Sequence, residues 1–156
     1  MEVKFYDNVE DAKLRFAVIA ARYCGKWVFC KHKERDTFEM PGGHRESKET
    51  IEDAAKRELY EETGAVQTTL SPICVYSVTG KTRVNDTGDE MFGMLYYAEI
   101  QRLDKMPESE MEKVCLFTDL PSSWTYPLIQ PRLIEKVIES GYAGVALPCY
   151  DTDNIF

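Results

Sequence analysis

The chain has two histidines, no C-x-x-C pair and no surplus of positive charge, and each shortage removes a class of function. The five cysteines, Cys24, Cys30, Cys74, Cys115 and Cys149, are odd in number, and most lie in apolar strand-like runs. They read as buried free thiols of a reducing compartment, and a zinc site is not expected. No stretch approaches the roughly 18 apolar residues that a membrane span needs. Arg22 and Lys26 interrupt the most apolar early segment. The Met-Glu-Val-Lys start has neither the basic head nor the apolar core of a signal peptide, which points to the cytoplasm and away from the membrane. With 19 Lys+Arg against 27 Asp+Glu the formal net charge is -8. A nucleic-acid polymer is therefore not expected as a partner, because binding one needs a basic face. Repeats, low-complexity tracts and linkers are missing too, so residues 1–156 are expected to form a single domain. That length suffices for a sheet with helices on it.

What is present alternates between strand and helix patterns. Phe16–Tyr23 and Lys26–Lys31 are apolar runs around Cys24-Gly25, which predicts a hairpin. Thr37–Met40 reads as a short strand entering a Pro41-Gly42-Gly43 turn. Thr68–Val78, with Pro72 near its start, Met91–Ile100 and Val114–Phe117 are further strands, and Asn85–Asp89 is a turn-rich loop. Pro131–Ser140 predicts an amphipathic helix, with Leu133, Ile134, Val137 and Ile138 on one side and Gly141 at its end. The tail from Ala143 shows no period.

The segment Gly43–Val66 carries the chemistry. Thr50 is a candidate N-cap, with Asp53 three residues on as its capping-box partner. Glu52 and Asp53 fall in the first turn, where the helix dipole favours anions, and Gly64 stands where a left-handed C-terminal residue is wanted. A helix over Ile51–Thr63 follows. At about 100° per residue, Ile51, Ala54, Ala55, Glu58 and Glu62 share one face, with Leu59 and Glu61 at its edges. Glu58, Glu61 and Glu62 stand at i, i+3 and i+4, so they converge and repel. Two of them sit at the helix end that disfavours anions. Helix stability does not recommend this arrangement, whereas a bridging divalent cation would.

The pattern Gly43, five residues, Glu49, seven residues, then Arg57-Glu58-Leu59-Tyr60-Glu61-Glu62-Thr63-Gly64 resembles the signature box of the Nudix hydrolases. Ala65 in the last aliphatic slot is a mild departure, with Val66 beside it. The lead-in Phe38-Glu39-Met40-Pro41-Gly42-Gly43 is similar to that family's strand-to-loop entry. The resemblance implies an α/β fold, an α/β/α sandwich with a mixed β-sheet. It implies hydrolysis of a pyrophosphate bond in a nucleoside diphosphate derivative. Glu58, Glu61 and Glu62 would be metal ligands, with the Gly43 carbonyl as a backbone ligand. Arg57 would orient the glutamates, and Glu49 would assist it or act as an outer metal group. An all-oxygen donor set without His or Cys favours Mg²⁺ or Mn²⁺ over zinc. A further glutamate from a later loop, as ligand or base, is implied as well. Glu110 is the first choice and Glu112 the second, set against a solvated acidic loop.

The substrate is read from thinner signals. Lys31-His32-Lys33-Glu34-Arg35 is a basic patch that can hold phosphates or can merely blunt a hairpin edge. Gly25-Lys26-Trp27, His32, Arg35 and Glu39 resemble a bacterial branch acting on (deoxy)nucleoside triphosphates, including oxidised dGTP. Arg35, Lys33, Glu39 and His44 are the candidate substrate contacts. Trp27, Phe38, Tyr76, Phe92, Tyr96, Trp124 and Tyr126 are the candidates for stacking on the base, with Trp124 and Tyr126, in one Pro-rich loop, preferred. Hydrolysis of ADP-ribose, an ADP-sugar or a dinucleotide polyphosphate is the alternative reaction. A non-catalytic nucleotide sensor is the alternative class. The partner expected is a nucleotide, and both a monomer and a homodimer remain open.

Overall fold

The computed structural model describes residues 1–142; the expectations for Cys149, for the tail from Ala143 and for the end of the domain lie outside it. Eight strands occur in chain order among the described residues. They are β1 (Glu2–Tyr6), β2 (Leu14–Tyr23), β3 (Lys26–His32), β4 (Phe38–Glu39), β5 (Gly42–His44), β6 (Ala65–Thr79), β7 (Met91–Leu103) and β8 (Met111–Phe117). Helix α1 is Ile51–Thr63 and α2 is Gln130–Glu139.

The sheet runs β1-β6-β7-β2-β3-β4, with β5 also on β2 and β8 also on β3. β2 pairs in parallel with β7, and the other pairings are antiparallel, so the sheet is mixed. Alternation along β2 divides the core into two layers. Ala17, Ile19 and Ala21 pack with Ala55 and Leu59 of α1. Ala20, with Phe29 and Leu95, packs with Leu133, Ile134 and Val137 of α2. Period-2 alternation sends these sets to opposite faces, which makes the α/β/α sandwich.

α1 has the expected bounds because its end signals act as read. The Thr50 hydroxyl accepts the Asp53 N–H at 3.0 Å. Gly64 is left-handed at φ 81 and donates its N–H to the Tyr60 carbonyl at 2.8 Å. A Cβ there would lie 2.3 Å from the Asp104 carbonyl oxygen. α2 begins one residue early, at Gln130. Ile138 departs from its expected side and is half exposed, at 50 %.

Two strands escaped the sequence reading. β1 is a five-residue edge strand held by β6. β5 occupies the supposed turn: two glycines give it no strand propensity, and its pairing with Phe16–Val18 of β2 makes it a strand. β6 and β7 also run longer than expected because they pair from Ala65↔Leu103 to Val78↔Met91. A register shift between Pro72 and Cys74 accommodates the proline.

Cys30, Cys74 and Cys115 are free thiols, but Cys24 is disulfide-bonded, which corrects the expectation of free cysteines there. No helix among the described residues is long and apolar enough to cross a membrane.

Candidate active site

The site forms where β5 and the last two turns of α1 meet. Arg57 is its hub, with five contacts for its five N–H donors. Nε donates to Glu49 Oε2 at 2.7 Å and Nη2 to Glu49 Oε1 at 3.0 Å, a bidentate grip. Nη1 reaches Glu58 Oε1 at 2.8 Å and Glu61 Oε2 at 3.3 Å. Nη2 also donates to the His44 carbonyl at 2.9 Å, which ties the helix to β5. The Arg57 grip, aided by the Glu46 N–H at 2.9 Å from Oε1, lowers the Glu49 pKa to about 2.

Glu62 has the opposite environment. It is buried, at 3 % exposure, and its Oε1 accepts the Gly42 N–H at 2.8 Å. Burial drives its pKa up to about 9; the Gly42 bond opposes the rise, and Glu58, Glu39 and Glu110 add to it. Glu58 is raised by burial as well, against the pull of Arg57. Its carboxylate lies so close to β5 that a Cβ on Gly43 would come within 2.5 Å of it. Only glycine permits that approach. The buried face of α1 is Ala54, Ala55, Leu59, Glu62 and Thr63, with Ile51 and Glu58 half-buried, so the expected face is widened to include Leu59 and Thr63.

A cleft of about 360 Å³ opens beside Glu62. Gly43, His44, Glu39, Arg35, His32 and Glu110 are among the residues that line it. Arg35 is engaged with Glu39, Nη1 to Oε2 at 3.0 Å. Glu112 points elsewhere, to Lys31 Nζ at 2.9 Å.

Two expected substrate contacts lie outside the cleft. Lys33 is exposed and does not line it. Trp124 packs edge-on against Phe29 with ring centroids 5.2 Å apart. The reason is a backbone clamp: Phe38 N–H bonds the Ser123 carbonyl and Thr125 N–H bonds the Phe38 carbonyl, both at 2.9 Å. This lays the Pro-rich loop along β4 and puts Trp124 against the core. Tyr126 of the same loop lines the cleft instead.

The rest of the lining was only partly anticipated. Phe16, Tyr76, Met91 and Leu133 are apolar or aromatic members of it, Gln130 a polar one, and Thr82, Val84 and Asn85 of the β6–β7 connection add a rim. Asn85 shapes that rim by donating to the Asp89 carbonyl at 2.7 Å and accepting the Gly88 N–H at 3.0 Å. The sequence marks Tyr76 as one of the stacking candidates and Asn85 as part of a turn, whereas Gln130 carries no signal beyond preceding a helix.

The donors suit a hard divalent cation. They are oxygens, and the four carboxyl groups of Glu49, Glu58, Glu61 and Glu62 outnumber the one cation among them, Arg57. Among the described residues no three metal-ligating side chains already surround one point. Mg²⁺ needs few protein oxygens because it keeps several waters.

Residues 10–134 match the family model described as NUDIX domain. The chain is 32% identical over 152 residues to YtkD of Bacillus subtilis, provisionally named an 8-oxo-dGTP diphosphatase, covering 91% of this chain and 92% of that one. The crystal structure of a glutamate-to-alanine variant of the Bacillus subtilis pyrophosphohydrolase BsRppH superposes with TM-score 0.73 at 28% identity, over 90% of this chain and 92% of that one. The NUDIX domain of Shewanella oneidensis NrtR, complexed with ADP ribose, shares the fold at TM-score 0.61 and 15% identity, over 81% of this chain and 87% of that one.

Arg57→Met tests the hub. The Glu49 midpoint, followed by carboxyl NMR, is expected to rise from about 2 toward the ordinary value of about 4.3. The parent's Glu49 contributes stability above its unfolded pKa and loses it as pH falls toward the folded value. The variant loses that contribution, and an unmoved midpoint would remove Arg57 from the organising role.

Proposed function

The chain belongs to the Nudix family of pyrophosphohydrolases, and we propose that it hydrolyses a (deoxy)nucleoside triphosphate to monophosphate and pyrophosphate, with an 8-oxo-dGTP-like nucleotide as the leading substrate. The observation that carries the reading is the buried Glu62 beside Gly42 and Gly43. It stands with Glu39 and Glu110 beside a cleft that apolar and aromatic side chains also line. That mixed lining suits a nucleotide: phosphates at a cation held by carboxylates, base against apolar side chains.

Nudix hydrolases use divalent metal ions, and the proposed ion here is Mg²⁺, with Mn²⁺ as its substitute. Glu58, Glu61, Glu62 and the Gly43 carbonyl would hold it. When bound, such an ion neutralises phosphate oxygens and lowers the pKa of a coordinated water. The chain's own residues do the rest. Glu49 keeps Arg57 in place, and Arg57 keeps Glu58 and Glu61 from swinging into solvent. Glu110 is the candidate base or additional ligand. Arg35, Glu39 and His44 line the cleft and are the proposed substrate contacts. The wall of Phe16 and Tyr76 and the ring of Tyr126 can pack against the base. The proposal includes one catalytic domain over residues 1–156 and action in the cytoplasm. The free thiols of Cys30, Cys74 and Cys115 favour that compartment, and the bonded Cys24 speaks against it.

Gln130 supports a preference among bases. Its Oε1 accepts the Met40 N–H at 2.8 Å. The oxygen is thus committed, and the amide NH₂ is what the side chain can offer a ligand. At C6 an NH₂ donor meets an acceptor in a 6-oxo purine and another donor in a 6-amino purine, so the former is favoured where the side chain faces C6.

The direct test is product analysis by anion exchange after incubation with canonical and 8-oxo (d)NTPs, ADP-ribose and diadenosine polyphosphates, each with Mg²⁺ and with EDTA. Metal-dependent release of monophosphate and pyrophosphate from a triphosphate is expected. Cleavage of ADP-ribose or a dinucleotide alone would replace the substrate, and no turnover at all would favour a nucleotide-sensing role. Glu62→Gln is expected to keep the fold and lower turnover by at least about 100-fold, beyond the usual cost of an outer-shell partner.

Gln130→Glu keeps an acceptor for the Met40 N–H and removes the donor. It is expected to lower kcat/KM for 6-oxo purine triphosphates by about tenfold or more, with little loss on 6-amino purines. Equal losses on both would refute base reading by Gln130.

A further inference from the structure

Glu110 stands just ahead of β8, and its side chain is largely exposed, at 69%. A carboxylate in that position loses its station to rotamer freedom unless a partner holds it. The backbone fixes where it starts. Lys33 N–H bonds the Glu110 carbonyl at 3.1 Å, and His32 pairs with Met111 across β3 and β8, next to a register shift between Lys31 and His32.

The side-chain partner is His32. Its Nε2 lies 3.7 Å from Glu110 Oε2, and its ring is only 12% exposed. The ring is itself held: Nδ1 accepts the Glu34 N–H at 3.1 Å. A nitrogen that accepts carries no proton in the neutral ring, so the proton sits on Nε2, on the side of the carboxylate. Both residues line the cleft, and the charge of Glu110 is felt by both Glu58 and Glu62.

We propose that His32 is a positioning residue, whose Nε2–H draws the Glu110 carboxylate into the cleft opposite Glu62. The separation of 3.7 Å exceeds a hydrogen bond. A small rotation of the exposed glutamate closes it, as catalytic contacts that are long without substrate tighten when substrate is bound. The patch Lys31–Arg35 is then divided in use. Lys31 is taken by Glu112, Arg35 by Glu39, and His32 serves the catalytic carboxylate without touching substrate. The inference rests on the hydrolase reading for its catalytic meaning, though the pairing itself stands on geometry.

A double-mutant cycle on the full chain, with Mg²⁺ and the triphosphate found to be hydrolysed, tests the role. His32→Leu is expected to lower kcat by about tenfold at nearly constant KM, the signature of an interaction that matters in the transition state. His32→Gln, which keeps an N–H near the place of Nε2, is expected to recover most of that loss. In a Glu110→Gln background, His32→Leu should cost less than about twofold, since coupled residues are not additive. Fully additive losses, or a His32→Gln as poor as His32→Leu, would overturn the proposal.

A second measurement needs no turnover. Imidazole ¹⁵N spectra should show the Nε2–H tautomer of His32, with Nε2 shifted by Glu110→Gln and not by Glu112→Gln. An Nδ1–H tautomer, or indifference to Glu110→Gln, overturns the pairing. The expected spectra from a protein that hydrolyses no nucleotide would sink the hydrolase reading and leave the pairing standing.

Discussion

Glu58, Glu61 and Glu62 crowd the C-terminal end of a helix that has no basic residue in its last turn. Like charges three and four residues apart repel, and the helix dipole adds to the cost. One guanidinium makes the arrangement tenable. Arg57 spends its N–H groups on Glu49, Glu58, Glu61 and the His44 carbonyl. A lysine could not substitute, because its ammonium has three donors and lacks the planar fork. Because one of those bonds is to β5, the same residue that balances charge also fixes the helix against the sheet. Glu62 is the carboxylate Arg57 does not reach, and it is the one turned into the interior.

The sheet explains why that interior position exists. β2 is shared between β7 along one edge and both β5 and β3 along the other. β5 can therefore begin no earlier than Gly42, opposite Val18, and after His44 the chain leaves for α1, whose small residues Ala54 and Ala55 are fully buried. Close packing of alanines brings the helix axis near the strands. Its last turn then meets Gly42 and Gly43, where an approaching carboxylate finds a backbone N–H and no side chain in its way. The opposite layer, with α2, reaches the cleft through Leu133. α1 thus brings Glu62 to the site and α2 brings Leu133, while the strands and loop between them supply Glu39, Arg35 and His32.

Where the sequence spoke clearly, local chemistry alone decided the outcome. Thr50 and Gly64 bound α1 because a hydroxyl cap and a left-handed residue act within a few residues of themselves. The hairpin at Cys24-Gly25 is equally local, with both residues at positive φ. Features that depend on distant partners were illegible. β5 is a strand only because β2 lies beside it. Trp124 and Tyr126 looked equivalent, and a clamp from β4 sends the first to the core and leaves the second at the cleft. Gln130 appeared as the residue before a helix, and its role depends on a Met40 N–H ninety positions away. His32 looked like one member of a basic patch, and it acquires a partner only through the β3–β8 pairing.

The two ends of the Glu49–Glu62 stretch show how one residue type is put to two uses. Glu49 is held near a pKa of about 2 by Arg57, so its charge is permanent at neutral pH and can serve as a fixed anchor. Glu62 is raised to about 9 by burial, so without a cation it keeps a proton that water would have stripped from it. Environments that push like groups apart in this way mark division of labour in a site. A proton and a divalent cation compete for the same oxygen, and the burial that raises proton affinity also shields the oxygen from water and strengthens its attraction for the ion. At the proposed ion site the expense of burying Glu62 would become specificity for a cation, provided the neighbouring carboxylates stay in place. That proviso returns to Arg57, whose bidentate hold on the permanently ionised Glu49 leaves its remaining donors aimed at Glu58 and Glu61.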